Sequence, residues 1–414
     1  MSNRFNTRAR LMGGAAAGVL VVLAFAGTAQ AQSQDQSTEV DEVIVTGIRS
    51  SIASSIAAKQ RNTSIVEVIT AEDIGKLPDV SIAESLARLP GLTVQRLDGR
   101  GQLISIRGLG PDFTTALLNG REQVTTGDNR GVEFDQYPSE LLSGVTIYKT
   151  PDAQLIGQGL AGTVDLQTIR PLAYGRRAVA ANVRYEQNDI GALNSGTSDN
   201  GVRYSVSYID QFADDTIGVA FGYAHIESPY QSERYNSWGY PTTGSGNFIL
   251  GGVKPYVMSS ELERDGFMGV VEFQPNDRFH STIDAFYSEF QNTQVLRGIE
   301  FPLWWGGSSG NCPTQVQTAT CRPGPVLQPG FTVADGFVTA GTFSNVKGVI
   351  RNDVNTRDSN ITALGWNTVF DVTDDWSLMA DFSYSKVERE DVVLETYSGT
   401  GRDVAGALDT LGFT

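Results

Sequence analysis

The sequence predicts an α+β domain followed by the antiparallel strands of a transmembrane β-barrel, incomplete after about seven strands. Three observations predict this class. Residues 65–172 mix short strand and helix signals. From residue 177 the helix signals vanish, and period-two segments of about 10–14 residues take over. Soluble strands usually run ~5–6 residues, whereas tilted membrane strands need about 9–11. Finally, the gaps between segments alternate short and long, as in barrels with tight turns on one side and large loops on the other. A soluble β-sandwich is the competing architecture and has no reason to alternate in this way.

Residues 1–31 read as an export signal. Arg4, Arg8 and Arg10 precede an uncharged run from Leu11 to Ala26, and Ala29-Gln30-Ala31 has the small-x-small cleavage pattern. The other reading is a single anchor helix, but the run is short for the ~20 residues of a span. Cleavage near Ala31 takes the formal charge from -16 to -19. So acidic a chain is a poor partner for nucleic acid. Two histidines, His225 and His280, and two cysteines leave no obvious metal set. No cofactor, metal or catalytic residue is expected. The acid pairs Asp214-Asp215 and Asp374-Asp375 sit in tight turns, where Asp forms local hydrogen bonds.

Residues 32–64 form a polar tail, a β-prone patch at Glu42 to Gly47, and a Ser/Ala-rich stretch that reads as weak helix or linker. Within 65–172 strands are expected at 65–69, 92–96, 103–107, 115–118, 145–149 and 163–168. Helices are expected over 71–75, 81–88 and 138–142. Ser81 and Glu84 fit a capping box, and Pro90-Gly91 stops that helix. Asp98 to Gly101 and Asn119-Gly120 are turn signals. Residues 177–414 hold the barrel segments: 178–187, 201–212, 216–227, 264–274, 278–291, 359–372 and 376–389. In 376–389, for example, Leu378, Ala380, Phe382 and Tyr384 alternate with Asp381, Ser383 and Ser385. The short gaps are 213–215, 275–277 and 373–375. Cys312 and Cys321 lie in the third long gap, where an exported setting favours a disulfide over two free thiols.

Several stretches together resemble a TonB-dependent outer-membrane receptor. Asp41 to Gly47 (DEVIVTG) resembles the TonB box. Leu77-Pro78-Asp79-Val80 through Leu92, Ser105 to Gly110 (SIRGLG), Leu117 to Arg121 (LLNGR), Tyr148 to Pro151 and Gly159 to Asp165 (GLAGTVD) resemble the plug. The resemblance covers about 42–172 densely and the later strands loosely. The Leu-Pro-Asp-Val and IRGLGPDF variants look like the oligosaccharide-type receptors of Caulobacter-like bacteria.

That resemblance implies active import of a scarce nutrient across the outer membrane, driven through TonB. The box residues Glu42, Val43, Ile44, Val45, Thr46 and Gly47 would pair as a strand with TonB. The other reading is a stray edge strand of the plug. Arg107 and Arg121 would lie between plug and wall, where buried charges need partners such as Glu272 or Asp284. Asp98, Arg100, Asp128 and Arg130 would form the floor of a ligand site. Trp238, Tyr240, Trp304 and Trp305 in the long gaps suit stacking on sugar rings; a membrane-surface aromatic belt is the alternative and fits Tyr230 better. Expected partners are therefore TonB, outer-membrane lipid and a small molecule, first an oligosaccharide and second a ferric siderophore. A secreted β-rich interaction protein is a further alternative; an enzyme is disfavoured.

One departure stands out. Such receptors close about 22 strands, against about seven here, and Asp409 to Thr414 falls in an outward loop. An open edge in lipid leaves groups that cost several kcal/mol each. The chain is thus expected to be a fragment of a longer receptor or a truncated product.

Overall fold

A computed structural model describes residues 55–70, 81–138, 142–153, 155, 159–313, 315–401 and 403–414. The expected signal, the patch at Glu42 to Gly47, the helix over 71–75 and Leu77 to Val80 lie outside the described residues. A helical segment over 55–61 occupies part of the Ser/Ala-rich stretch.

The first body is built from β1 (Val66–Thr70), helix α1 (Ile82–Leu86), β2 (Leu92–Leu97), β3 (Arg100–Ile106), β4 (Thr114–Leu118), β5 (Arg121–Glu122), β6 (Leu142–Tyr148), β7 (Gly162–Thr168) and α2 (Pro171–Tyr174). Its sheet runs β1-β6-β7-β4-β5, with β2-β3 as a separate hairpin. Among the described residues of this body, the β4–β7 pair alone is parallel. Leu142 opens a strand, so the helix expected to end there does not include it. Ser81 also departs from expectation. It precedes α1 without capping it, because its hydroxyl donates instead to Gly101 O at 2.6 Å. The other half of the expected box, Glu84, pairs with Arg96 at 3.1 Å.

Glu67 on β1 is gripped by two ammoniums, Lys59 and Lys149, the latter at 3.0 Å. Burial opposes its charge, yet the two lysines hold the carboxyl below its ordinary range. A lowered acid stabilises the fold above its unfolded pKa of about 4.3 and loses that contribution as pH falls through the folded value. Glu67→Gln is therefore expected to lower the thermal midpoint at pH 7, and the gap from wild type should close below about pH 4. A gap that stays constant with pH would remove the ion pairs as its cause.

The second body is one antiparallel sheet, β19-β18-β12-β11-β10-β9-β8. Its strands are β8 (Ala178–Gln187), β9 (Asn200–Phe212), β10 (Ile217–Ser237), β11 (Gly252–Asn276), β12 (Phe279–Pro302), β18 (Val349–Asp371) and β19 (Ser377–Leu394). Between β12 and β18 lie β13 (Ser309–Gly310), β14 (Cys321–Arg322), β15 (Val326–Leu327), β16 (Thr332–Ala334) and β17 (Phe337–Val346). After β19 come β20 (Tyr397–Gly399) and β21 (Asp409–Phe413). The seven long strands are the seven expected, and the sheet is not closed. They are longer than expected, however, reaching 25 residues in β11. Much of what reads as the long gaps 228–263 and 292–358 is strand. The long connections shrink to 188–199, 238–251 and 303–348.

Alternation gives this sheet two faces. Phe221, Phe267, Ile283, Leu364, Trp366 and Phe382 point outward and are exposed. Two aromatic rows bracket that apolar band. Tyr204, Tyr223, Phe267 and Tyr287 form one, with successive rings 5.9, 4.7 and 6.4 Å apart. Phe273, Phe279 and Phe370 form the other, near the short turns. Phe279 and Tyr287 are eight residues apart on β12, roughly 26 Å along a strand and about 20 Å once tilted. That spacing between ring rows approaches the ~25 Å apolar band of outer-membrane barrels. The inward face buries Ala224, Met268, Phe286, Ile361 and Ala363 against the first body's Ile82, Leu86, Ile104, Phe134, Tyr137, Val145 and Leu166. Tyr137 stacks on Phe286 at 5.1 Å. The first body is thus a plug seated on the inner wall.

Candidate functional site: the plug clamp and the loop cap

The hairpin β4–β5 turns on Asn119 and Gly120, with φ of 53° and 78°. Two successive positive φ values make the tight hairpin turn that Asn-Gly favours. The turn is pinned from behind. Thr168 N donates to Asn119 Oδ1 at 3.0 Å, and Gly120 N donates to Asp165 Oδ1 at 2.8 Å. Arg121, the next residue, is thereby presented to the wall. Its Nη1 donates to Asp284 Oδ2 at 2.6 Å, and its Nε and Nη2 donate to the two oxygens of Asp381 at 2.8 and 3.0 Å. Asn119 Nδ2 adds a bond to Asp284 Oδ1 at 3.1 Å. Such bidentate, charge-assisted contacts are the strong kind. Gly365 makes room for them: a Cβ there would lie 2.5 Å from Arg121 Cζ and 2.9 Å from Asp284 Oδ2.

The same wall strand holds the plug twice more. On the inner side of β19, Ser385 accepts from Val124 N at 3.4 Å. Arg389 donates to Thr126 O at 2.6 Å and pairs with Asp128 at 2.8 Å. Asp381, Ser385 and Arg389 are four residues apart, so β19 grips residues 121–128 along their length. Beside this grip, burial pushes the Glu133 carboxyl up; Thr126 opposes that shift, and Asp135 adds to it. Burial also raises Asp135, against the charge of Arg100 and the hydrogen bond of Gln102. Below Arg121 a polar cavity of about 560 Å³ separates plug from wall, lined among others by Asn119, Arg170, Glu272, His280 and Asp381.

The remaining expected site residues fall in varied places. Arg107 is exposed in a left-handed turn (φ 54°), with no side-chain bond to the wall among the described residues. Its expected role as a plug–wall contact is corrected: the chain turns away before the side chain reaches the sheet. Arg100 is buried beside Asp135, Nε to carboxylate 3.9 Å. Its burial takes it out of an open floor, which corrects its expected place there. Asp98 is half-buried in the β2–β3 turn, and Arg130 is exposed. Asp128 is exposed but engaged by Arg389. Tyr230 faces the plug and not lipid, since a Cβ at Gly99 would lie 3.0 Å from its ring. Trp238 lies half-buried over Gly252, with Lys254 5.3 Å from its ring. Trp305 covers Gly239 and Gly251 with one face and stays exposed on the other, and Trp304 is exposed.

At the end of the sheet away from the short turns, the connections 238–251 and 303–348 fold together as a cap. Its core is Ile249, Val253, Leu303, Val338, Phe343 and Val346, with Leu411 and Phe413 of β21 packed against it. The Cys312–Cys321 disulfide closes a short loop of this cap. Such closure contributes roughly 2–3 kcal/mol in the chain-entropy model. A Cys312→Ser, Cys321→Ser double variant is expected to be cut faster by elastase after the exposed Val316, with plug cleavage unchanged. Equal rates at Val316 would show that the disulfide does not order the cap.

The sequence signal for the clamp's second acid, Asp381, is its position on the polar face of a period-two segment. Nothing in the sequence pairs the cap rings Phe248 and Phe337.

The family described as TonB-dependent Receptor Plug Domain matches residues 58–164. The ferric enterobactin receptor PirA of Pseudomonas aeruginosa is 34% identical over 123 residues, 26% of this chain and 16% of that one. Among solved structures, the outer membrane transporter YddB of Escherichia coli is similar over 80% of this chain and 58% of its own, at 13% identity and a TM-score of 0.38. The ferric citrate transporter FecA, unliganded, is similar over 87% and 60%, at 12% identity and a TM-score of 0.37. At such scores the structural likeness carries no weight beyond the plug match. The chain spans a sixth of its curated relative and about three fifths of these structures.

Proposed function

We propose that this chain, a TonB-dependent receptor by its plug domain, serves energy-driven import of a neutral oligosaccharide across the outer membrane. The observation that carries the import reading is the clamp. A passive pore has no use for a plug fixed by a buried arginine between two wall acids. Breaking one partner out of a buried ion pair costs about 3–5 kcal/mol, so opening calls for an external pull. A short β-prone segment on a polar tether, Glu42 to Gly47, suits such a pull by strand pairing with TonB in the periplasm. The two aromatic rows and the apolar band between them favour residence in the outer-membrane lipid.

The cap supports a neutral cargo. Between Trp238 and Gly251 there is no Asp, Glu, Lys, Arg or His, and between Leu303 and Gly348 only Arg322, Asp335 and Lys347 are charged. A ferric tris-catecholate carries a net charge of about -3 by charge balance and calls for a cationic surface. The PirA match is the observation on the side of a ferric siderophore, though it covers only 123 residues.

Uptake tests the choice. Cells carrying and lacking the gene should be given labelled glucose-, xylose- and N-acetylglucosamine-based oligosaccharides and labelled ferric enterobactin, with and without a protonophore. Gene-dependent, protonophore-sensitive uptake of a neutral sugar is expected. Gene-dependent uptake of the ferric chelate alone would reverse the assignment.

A further inference from the structure

We infer that Tyr240, Phe248 and Phe337 form a stacking platform on the cap that receives the apolar face of a neutral pyranose unit. The inference deepens the oligosaccharide reading and rests on it. Two distant stretches of chain build the platform. Phe248 N donates to Gly336 O, and Val338 N to Phe248 O, each at 2.8 Å. This parallel bridge sets Phe248 beside Phe337. Their ring centroids are 5.1 Å apart at 32°, and Tyr240 meets Phe337 edge-on at 6.2 Å.

The backbone beneath the rings is fixed, because Ile249 and Val338, the neighbours of Phe248 and Phe337, are core residues of the cap. The rings themselves remain open to solvent: Phe337 is 44% exposed and Tyr240 49%. Neighbouring exposed apolar groups on a firm base are a mark of binding surfaces. Beside Phe248 the rim is polar and uncharged. Thr243, Ser245 and Asn247 lie on the turn beside Phe248, with Thr243 Oγ1 and Ser245 Oγ 3.0 Å apart and Asn247 Nδ2 3.1 Å from Ser245 Oγ. A pyranose offers a C–H face that fits the negative face of an aromatic ring, and edge hydroxyls that exchange hydrogen bonds with such a rim. A charged ligand finds no counter-charge there except Asp335.

The test is binding by the full chain in detergent, titrated with neutral glucose-, xylose- and N-acetylglucosamine-based hexasaccharides. Tyr240→Ala and Phe337→Ala are each expected to weaken the bound sugar by about 10-fold or more, the usual loss at an aromatic anchor. Tyr240→Phe should keep wild-type affinity, which separates loss of the ring from loss of the cap's fold. Phe331→Ala removes an exposed ring outside the platform and should change nothing. Unchanged affinity in both alanine variants would overturn the platform and leave the sugar reading standing. Wild-type protein that binds none of the sugars would overturn both.

Discussion

Arg121→Ala is expected to loosen the β4–β5 hairpin from the wall and to speed amide exchange across Thr114–Glu122 by two orders of magnitude or more. The side chain is buried and makes three charge-assisted bonds to Asp284 and Asp381. Its removal leaves Asp284 buried with only Asn119 as a plug partner. Losing one side of a buried pair costs about 3–5 kcal/mol, and each 1.36 kcal/mol is a factor of ten. The effect comes mainly from the stranded acids. An Arg121→Met, Asp284→Asn, Asp381→Asn triple variant removes the stranded charges and should recover much of the loss. If Arg121→Ala alone exchanges like wild type, the arginine does not hold the plug.

Gly365→Val should produce much the same loosening without removing a charge. Gly365 lies on β18 opposite Asp284 and Ser383, and the Arg121 guanidinium fills the space where a side chain would sit. Valine would force Arg121 out of its seat or bend a central strand. Overpacking alone costs about 1–3 kcal/mol, and loss of the clamp adds to it. Exchange should rise across Thr114–Glu122 and stay slow in β10–β11, which do not contact Gly365. Valine accepted with unchanged exchange would mean the guanidinium is not confined there. Alanine should give a smaller effect of the same sign.

The sequence showed the membrane-level half of the architecture and hid the rest, for physical reasons. Residues 216–227 and 376–389 alternate strictly, because one face is apolar and exposed while the other turns toward the plug. Above that level both faces are polar, so Glu227 to Ser237 reads as loop although it pairs in register with Val253 to Glu263. The Asn119-Gly120 turn was legible because those residues adopt positive φ locally, and Arg121 follows from it. Arg107 looked equivalent, an arginine at the end of a strand beside glycine, but its own positive φ turns the chain away. Ser81 has the residue pattern of a cap and loses its hydroxyl to a backbone carbonyl 20 residues away. Phe248 and Phe337 are 89 positions apart and meet through a single bridge, which no periodicity reports.

Central to the proposal is a plug that must leave the wall for cargo to pass, and a reversible tether tests this most directly. Val124 N and Ser385 Oγ are 3.4 Å apart, so a Val124→Cys, Ser385→Cys pair joined through a short bis-methanethiosulfonate linker, cleavable by reductant, can bridge plug to β19. With the bridge formed, the labelled oligosaccharide imported by wild-type cells should still bind, its uptake should stop, and a reductant should restore it. Uptake at the wild-type rate with the bridge intact would contradict a moving plug.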